Sequence, residues 1–188
     1  MTTVCRLARH ELRLLGSLAL WLARRTQGTG GGQAFGYARG QGAMLLGLAF
    51  VCLVETVGVA VVLRGVPVAH EVMLVLDIYT VLFVLGLHAA CVVRPHVLTG
   101  DELRVRYGAH VDLRIPLTAI AAVRRETRFT HEAAPDTLDL AVGSQTSVTV
   151  ALCEPVEHTG LFGRRRRVGV VRLYAEDAGA LVRALTPR

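Results

Sequence analysis

The chain has 188 residues, 52% of them hydrophobic, and a formal net charge of +6. All 21 basic residues are arginine, which together with the wealth of Ala, Val, Leu and Gly suits a high-GC bacterial genome. The four cysteines are scattered at Cys5, Cys52, Cys91 and Cys153 without CxxC or Cys/His spacing, which argues against a zinc site or a disulfide framework. The length allows one small soluble domain beside a short membrane segment. The arginine excess fits a cytoplasmic face turned toward anionic lipid better than a nucleic-acid interface, since no aromatic stacking platform accompanies it.

Residues 1–27 predict an amphipathic helix. Leu7, Leu14, Leu15, Leu18 and Leu22 recur at three- and four-residue spacings, with Arg6, Arg9, Arg13, Arg24 and Arg25 among them. The apolar stretch is too short to span a bilayer comfortably. The expectation is a helix in the headgroup layer, with Trp21 at its apolar end; the rival is a helix packed on the soluble domain. Arg24-Arg25 stands where a signal peptide would carry small cleavage-site residues, so this segment is expected to be retained. Residues 28–42, GTGGGQAFGYARGQG, read as a flexible glycine-rich linker. Phe35 and Tyr37 are expected at the membrane interface beside Arg39. No GK[ST] closes the stretch and an apolar run follows it, so it is not a phosphate loop.

Residues 43–95 predict a transmembrane hairpin of two helices. Ala43–Leu63 and Val72–Val93 each reach the roughly 20 residues that cross a bilayer. The loop Arg64–Glu71 is short enough to make them antiparallel neighbours. Arg24, Arg25 and Arg39 precede the first run and Arg94 follows the second, so both termini are expected in the cytoplasm of a multi-pass cell-membrane protein.

Residues 96–188 change to a period of two. Leu103, Val105 and Tyr107 alternate with Arg104 and Arg106, and Val111, Leu113 and Ile115 alternate with Asp112 and Arg114. Leu138, Leu140 and Val142, then Val148, Val150 and Leu152, repeat the pattern, and Val168–Tyr174 is strand-like. Glu176–Leu185 switches to helix, with Asp177 as N-cap and Leu181, Val182 and Leu185 on the buried face. The expectation is six or seven antiparallel strands closed by one helix.

The segments HVLTGDELRVRYG, VDLRIPLTAIAAVRRE and LFGRRRRVGVVRLYAEDAGALVRAL resemble the opening strands, the "IPL" element and the closing strand and helix of bacterial PH-like domains. The whole layout resembles actinobacterial membrane proteins with a two-helix hairpin before such a domain. The resemblance implies a seven-stranded, partly open barrel capped by one helix, and binding or scaffolding rather than catalysis. It brings no catalytic residues.

Glu55 and Asp77 lie inside the apolar runs. A carboxylate in hydrocarbon costs several kcal/mol unless protonated, paired or wetted. At 1.5 Å per residue, Glu55 sits about 3 Å and Asp77 about 8 Å outward of the middle of its run. Thr56 and Thr80 are close enough in depth to donate hydrogen bonds, and His88 lies a step further in. Three readings stand: glue between helices or subunits, an ion or proton pathway, or a snorkelling side chain. A second cluster, Arg164, Arg165, Arg166 and Arg167 after Phe162, reads as a contact with anionic headgroups or as a solvated hairpin. His10, His70, His96, His110, His131 and His158 lack ligand spacing and read as surface or packing residues. No catalytic, metal or cofactor residue is expected.

Two functions follow. The first is a non-enzymatic integral membrane protein whose cytoplasmic PH-like domain binds a protein partner or the anionic inner leaflet, and which self-associates through its polar intramembrane residues. The alternative is an oligomeric ion or proton conductor that uses Glu55 and Asp77 under the control of that domain.

Overall fold

The computed structural model describes residues 3–132, 134–161 and 163–186. Three helices come first: α1 (Thr3–Leu22), α2 (Arg39–Val62) and α3 (Pro67–Val93). The last two are long and apolar enough to cross a membrane. They form a hairpin whose connection is tighter than expected, because a 3-10 turn at Leu63–Gly65 leads directly into Pro67. Proline suits that first helical position, where its missing N–H has no partner to lose. The hairpin faces outward with side chains such as Phe50, Val54, Val57, Val75 and Leu76. Among the described residues α2 buries only Gly42 and Ala49. The buried residues of α3 lie between Val84 and Val93, at the end nearest the β domain.

The first helix packs on α3 and on the β domain together. Leu14 is buried against Ala90 and Ala109. A side chain at Gly86 would come within 3.3 Å of Leu14 Cβ, so the glycine sets how closely the helices approach. Arg13 Nη1 donates to the Ala109 carbonyl at 3.2 Å. Val4, Leu7, Leu15 and Leu22 remain outward. The helix therefore has two apolar faces, one packed on protein and one bare.

Among the described residues eight strands build the β domain, the first of them between α1 and α2: β1 (Gln33–Phe35), β2 (His96–Leu98), β3 (Glu102–Tyr107), β4 (Val111–Pro116), β5 (Ile120–Arg128), β6 (Thr137–Leu140), β7 (Thr146–Thr159) and β8 (Arg165–Leu173). They form two four-stranded sheets, β1-β2-β3-β4 and β5-β7-β8-β6. Period-two alternation turns Leu103, Val105, Leu113 and Ile115 of one sheet toward Val148, Val150, Val171 and Leu173 of the other, in one core. The closing helix α4 (Ala178–Leu185) lays Ala178 and Leu181 on that core. Asp177 caps it as expected, accepting from the Ala180 N–H at 2.7 Å.

Two expectations are corrected. The strands are not all antiparallel, because β6 pairs with β8 in parallel, from Thr137↔Val170 to Leu140↔Leu173. Alternation reports which face is buried, not strand direction.

The glycine-rich stretch is not a free linker. Gln33–Phe35 extends the first sheet by pairing with His96–Leu98, and Phe35 and Tyr37 are buried against the β domain rather than placed at an interface. Beyond them, Glu176 accepts the Arg39 N–H at 3.0 Å and pairs with its guanidinium at 3.3 Å. A carboxylate from the far end of the chain thus serves the positive N-terminus of α2. The turn between β6 and β7 has positive φ at Gly143 and Ser144, as a tight hairpin turn requires. It abuts the same helix end: a Cβ on Gly143 would meet the Gly40 carbonyl at 2.8 Å.

Candidate functional site

The alternation of β3 and β4 sends Arg104, Arg106 and Asp112 to the face of the first sheet opposite the core. In the register Arg106 stands across from Asp112 and Arg104 across from Arg114. That face is covered by the end of α3 and by Gln27–Gly28, the segment after α1. Arg106, 2% exposed, donates to the carbonyls of Gln27 at 2.6 Å and Gly28 at 2.5 Å. Arg104 holds Asp112 with two bonds, Nε at 2.6 Å and Nη2 at 2.7 Å. Arg94, the residue after α3, is 5% exposed and reaches the same carboxylate at 3.3 Å. These groups, with Arg13 of α1, line a cavity of about 340 Å³.

Electrostatics follow from this crowding. Burial pushes the Arg94 guanidinium down; Asp112 opposes that, while Arg13 adds to it. Arg106 is likewise lowered, first by burial and then by Arg104. Burial alone would raise Asp112, but the hydrogen bonds and charges of Arg104 and the charges of Arg94 and Arg106 hold it below the usual carboxylate range.

Behind the arginines lies a ring network. His96 Nδ1 accepts the Arg106 backbone N–H at 3.1 Å, and its Nε2 lies 3.0 Å from the Tyr174 carbonyl. The two contacts select the neutral Nε2–H tautomer. Burial pushes this histidine down to about 4. Tyr37 stands with its ring centroid 4.9 Å from that of His96 and 6.0 Å from that of Tyr107. Its hydroxyl accepts the Gly108 N–H at 2.9 Å. Burial raises the Tyr37 hydroxyl well above its ordinary value, so it stays protonated.

The threonines of the hairpin take partners other than the two carboxylates. Thr56 and Thr80 donate to carbonyls of their own helices, Cys52 at 2.8 Å and Leu76 at 2.9 Å, rather than to Glu55 or Asp77. A threonine in a helix reaches its own preceding turn at no packing cost. Glu55 is exposed on the outer surface of α2. Asp77 is half-buried, with Oδ2 enclosed and without a hydrogen-bond partner. His88 lies about 16 Å further along α3 than Asp77, with its ring edge-on to Trp21 at 5.4 Å and its Cε1 3.4 Å from where a Gly42 side chain would begin.

Arg164 precedes β8, Arg165, Arg166 and Arg167 open it, and all four are exposed. Arg166 is tied down, donating to the carbonyls of Ala134 at 3.1 Å, Pro135 at 3.3 Å and Thr137 at 3.1 Å. Arg165 makes a loose pair with Glu157 at 3.8 Å. Phe162 lies outside the described residues. The tip of this hairpin, Thr159–Leu161, faces Arg9 and His10 of α1 across a groove of about 410 Å³. His110 and His158 share its wall. Both are lowered, chiefly by burial.

Sequence reading missed the cavity at the junction. Its signal was present, since the alternation that buries Leu103 and Val105 must send Arg104 and Arg106 the other way. That the other face is roofed by α3 and Gln27–Gly28 has no local signature. Among the described residues no group of three or more His, Cys, Asp or Glu is placed to hold a metal ion. No family model matches this chain, nor does any curated protein or solved structure.

Proposed function

We propose that this chain is a non-enzymatic integral membrane protein that anchors a PH-like β domain at the inner leaflet, where the domain engages anionic lipid. In this reading α2 and α3 cross the bilayer and both termini are cytoplasmic. The observation that carries it is the gathering of arginines where the bare apolar surface of the hairpin ends. Arg24 and Arg25 after α1 line a cavity with Val92 and Val93 at the domain-proximal end of α3, Arg13 stands with Arg94 just beyond that end, and Arg9 and Arg13 face the tip of the β7–β8 hairpin across a groove on the β domain. Each basic side chain near an anionic surface contributes about 1 kcal/mol. The outward Val4, Leu7, Leu15 and Leu22 of α1 supply an apolar face to the same layer. Two sheets around one core with a closing helix support the PH-like reading. Self-association belongs to the proposal as well, because Glu55 on the outer face of α2 is costly in hydrocarbon unless a second copy covers it.

The test is hydrogen exchange on the full chain in nanodiscs of phosphatidylcholine, with and without phosphatidylglycerol. Residues 157–167 and α1 should be protected by the anionic lipid and should lose that protection in high salt. Equal exchange in both membranes would remove the anionic-surface reading. Extraction of the native protein by carbonate alone would remove the membrane itself.

A further inference from the structure

The cavity at the junction holds more positive charge than its own residues neutralise. Four guanidiniums, those of Arg13, Arg94, Arg104 and Arg106, face one carboxylate, Asp112. Arg94 and Arg106 are almost wholly buried. Burying a charge is tolerable only when it is paired and its donors are used. Here Arg94 Nε and Nη1 and Arg106 Nε are buried without an acceptor. An arrangement with spare cationic donors and a shortage of anion is what an anionic ligand completes.

A second cavity adjoins the first and has the opposite character. It measures about 240 Å³ and lies among Trp21, Val92, Val93 and the turn Arg24–Thr26. The two are neighbours in the chain twice over: Val93 precedes Arg94, and Thr26 precedes Gln27. The bond from the Gln27 N–H to the Val93 carbonyl, 2.8 Å, ties these two strands of chain together between the cavities. A cationic hollow beside an apolar slot at the end of a long apolar helix has the polarity of a phospholipid.

We propose that the Arg13–Arg94–Arg104–Arg106 cavity binds a phosphate group, supplied by a single anionic phospholipid whose upper acyl chain lies in the slot beside Trp21 and Val92. Guanidinium suits phosphate because its planar N–H groups match the oxygens in direction and charge. Asp112 plays the opposite part: it orients Arg104 and Arg94 and competes with the ligand for them. The proposal deepens the lipid-facing reading above and rests on it only for the source of the phosphate.

The experiment uses the full chain in a neutral detergent. Thermal unfolding is followed while dioctanoyl phosphatidic acid, dioctanoyl phosphatidylcholine or inorganic phosphate is added. The wild-type protein should be stabilised saturably by phosphatidic acid and not by phosphatidylcholine. Arg94→Gln should weaken the apparent affinity by about tenfold or more, the equivalent of one charge-assisted hydrogen bond. Arg13→Gln, at an exposed position that gives up one bond to Ala109, should weaken it without endangering the fold. Asp112→Asn should tighten it. The double variant Arg165→Gln/Arg167→Gln should bind as wild type, which separates this cavity from the hairpin surface tested by hydrogen exchange.

Stabilisation by inorganic phosphate alone, lost in Arg13→Gln, would support the phosphate site and overturn the lipid as its source. No saturable shift with either phosphate, or an equal shift in wild type and Arg13→Gln, would overturn the site. Either result leaves the hydrogen-exchange test standing by itself.

Discussion

Two arginine clusters on this chain look alike in charge and differ in everything else. Arg164–Arg167 is contiguous, exposed, and held by little more than a loose pair to Glu157 and the bonds of Arg166 to a neighbouring loop. Arg94, Arg104 and Arg106 are separated in the chain, half or wholly buried, and committed to named acceptors. The contiguous run is conspicuous in the sequence, yet water and salt screen its exposed charges, and only Arg166 is fixed by hydrogen bonds. The dispersed set joins three parts of the protein: the end of α3, the first sheet and the segment after α1. A charge does structural work when desolvation makes losing its partner expensive.

The sharpest way to break this contrast is to remove Arg106. Arg106→Ala strips the hydrogen-bond donors from two carbonyls and leaves a hole beneath Gln27–Gly28, so a loss of about 4 kcal/mol is expected. Chemical unfolding of the full chain in detergent should read it as a lower midpoint with little change in slope. An unchanged midpoint would mean that the Gln27–Gly28 clasp is dispensable.

Acidification should have a slightly smaller effect of defined sign. His96 falls from 6.5 to about 4 on folding. The unfolded chain therefore takes up the proton first as the pH drops. The stability from neutral His96 is complete above about pH 6.5 and is lost as pH falls toward 4, by about 3 kcal/mol. His110 and His158, also lowered, act in the same direction. Asp112 adds a further loss at still lower pH, where its carboxylate is protonated. His96→Gln should be less stable at pH 7 and should show a flatter profile between pH 6.5 and 4. A profile as steep as wild type would place the pH dependence elsewhere.

Next comes a change that touches no charge. Gly143→Ala puts a side chain on a residue with φ +57° whose Cβ would lie 2.8 Å from the Gly40 carbonyl. It should cost about 2 kcal/mol, through left-handed strain and loss of fit at the α2 end. Greater protease cleavage near residues 36–42 would accompany the undocking. The smallest effect belongs to the conspicuous run: Arg165→Ala should shift stability by no more than about 0.5 kcal/mol. A loss as large as that for Arg106 would erase the distinction between the two clusters.

Much of the architecture was legible in the residues. Two long apolar runs, period-two alternation from Leu103 onward and leucines at helical spacing before Trp21 mark apolar faces, and Asp177 marks the start of a short helix. Local burial is what side-chain periodicity records. The glycine-rich stretch misled because its composition describes an unfolded chain's freedom, while Phe35 and Tyr37 hold it in place by contacts with His96 and Tyr107 from far along the sequence. Thr56 and Thr80 misled for the converse reason, since the nearest acceptors were in their own helices.

The sequence by itself determined which segments are apolar, which alternate, and therefore which faces must be covered. Tertiary structure alone decided what covers them. It ran β6 parallel to β8, laid Gln27–Gly28 and the end of α3 over the outer face of β3, and so converted alternating arginines into a cavity short of negative charge. The physical reason is range: a side chain's polarity acts on its own turn or strand, whereas the partner of a buried charge is chosen by how the whole chain closes.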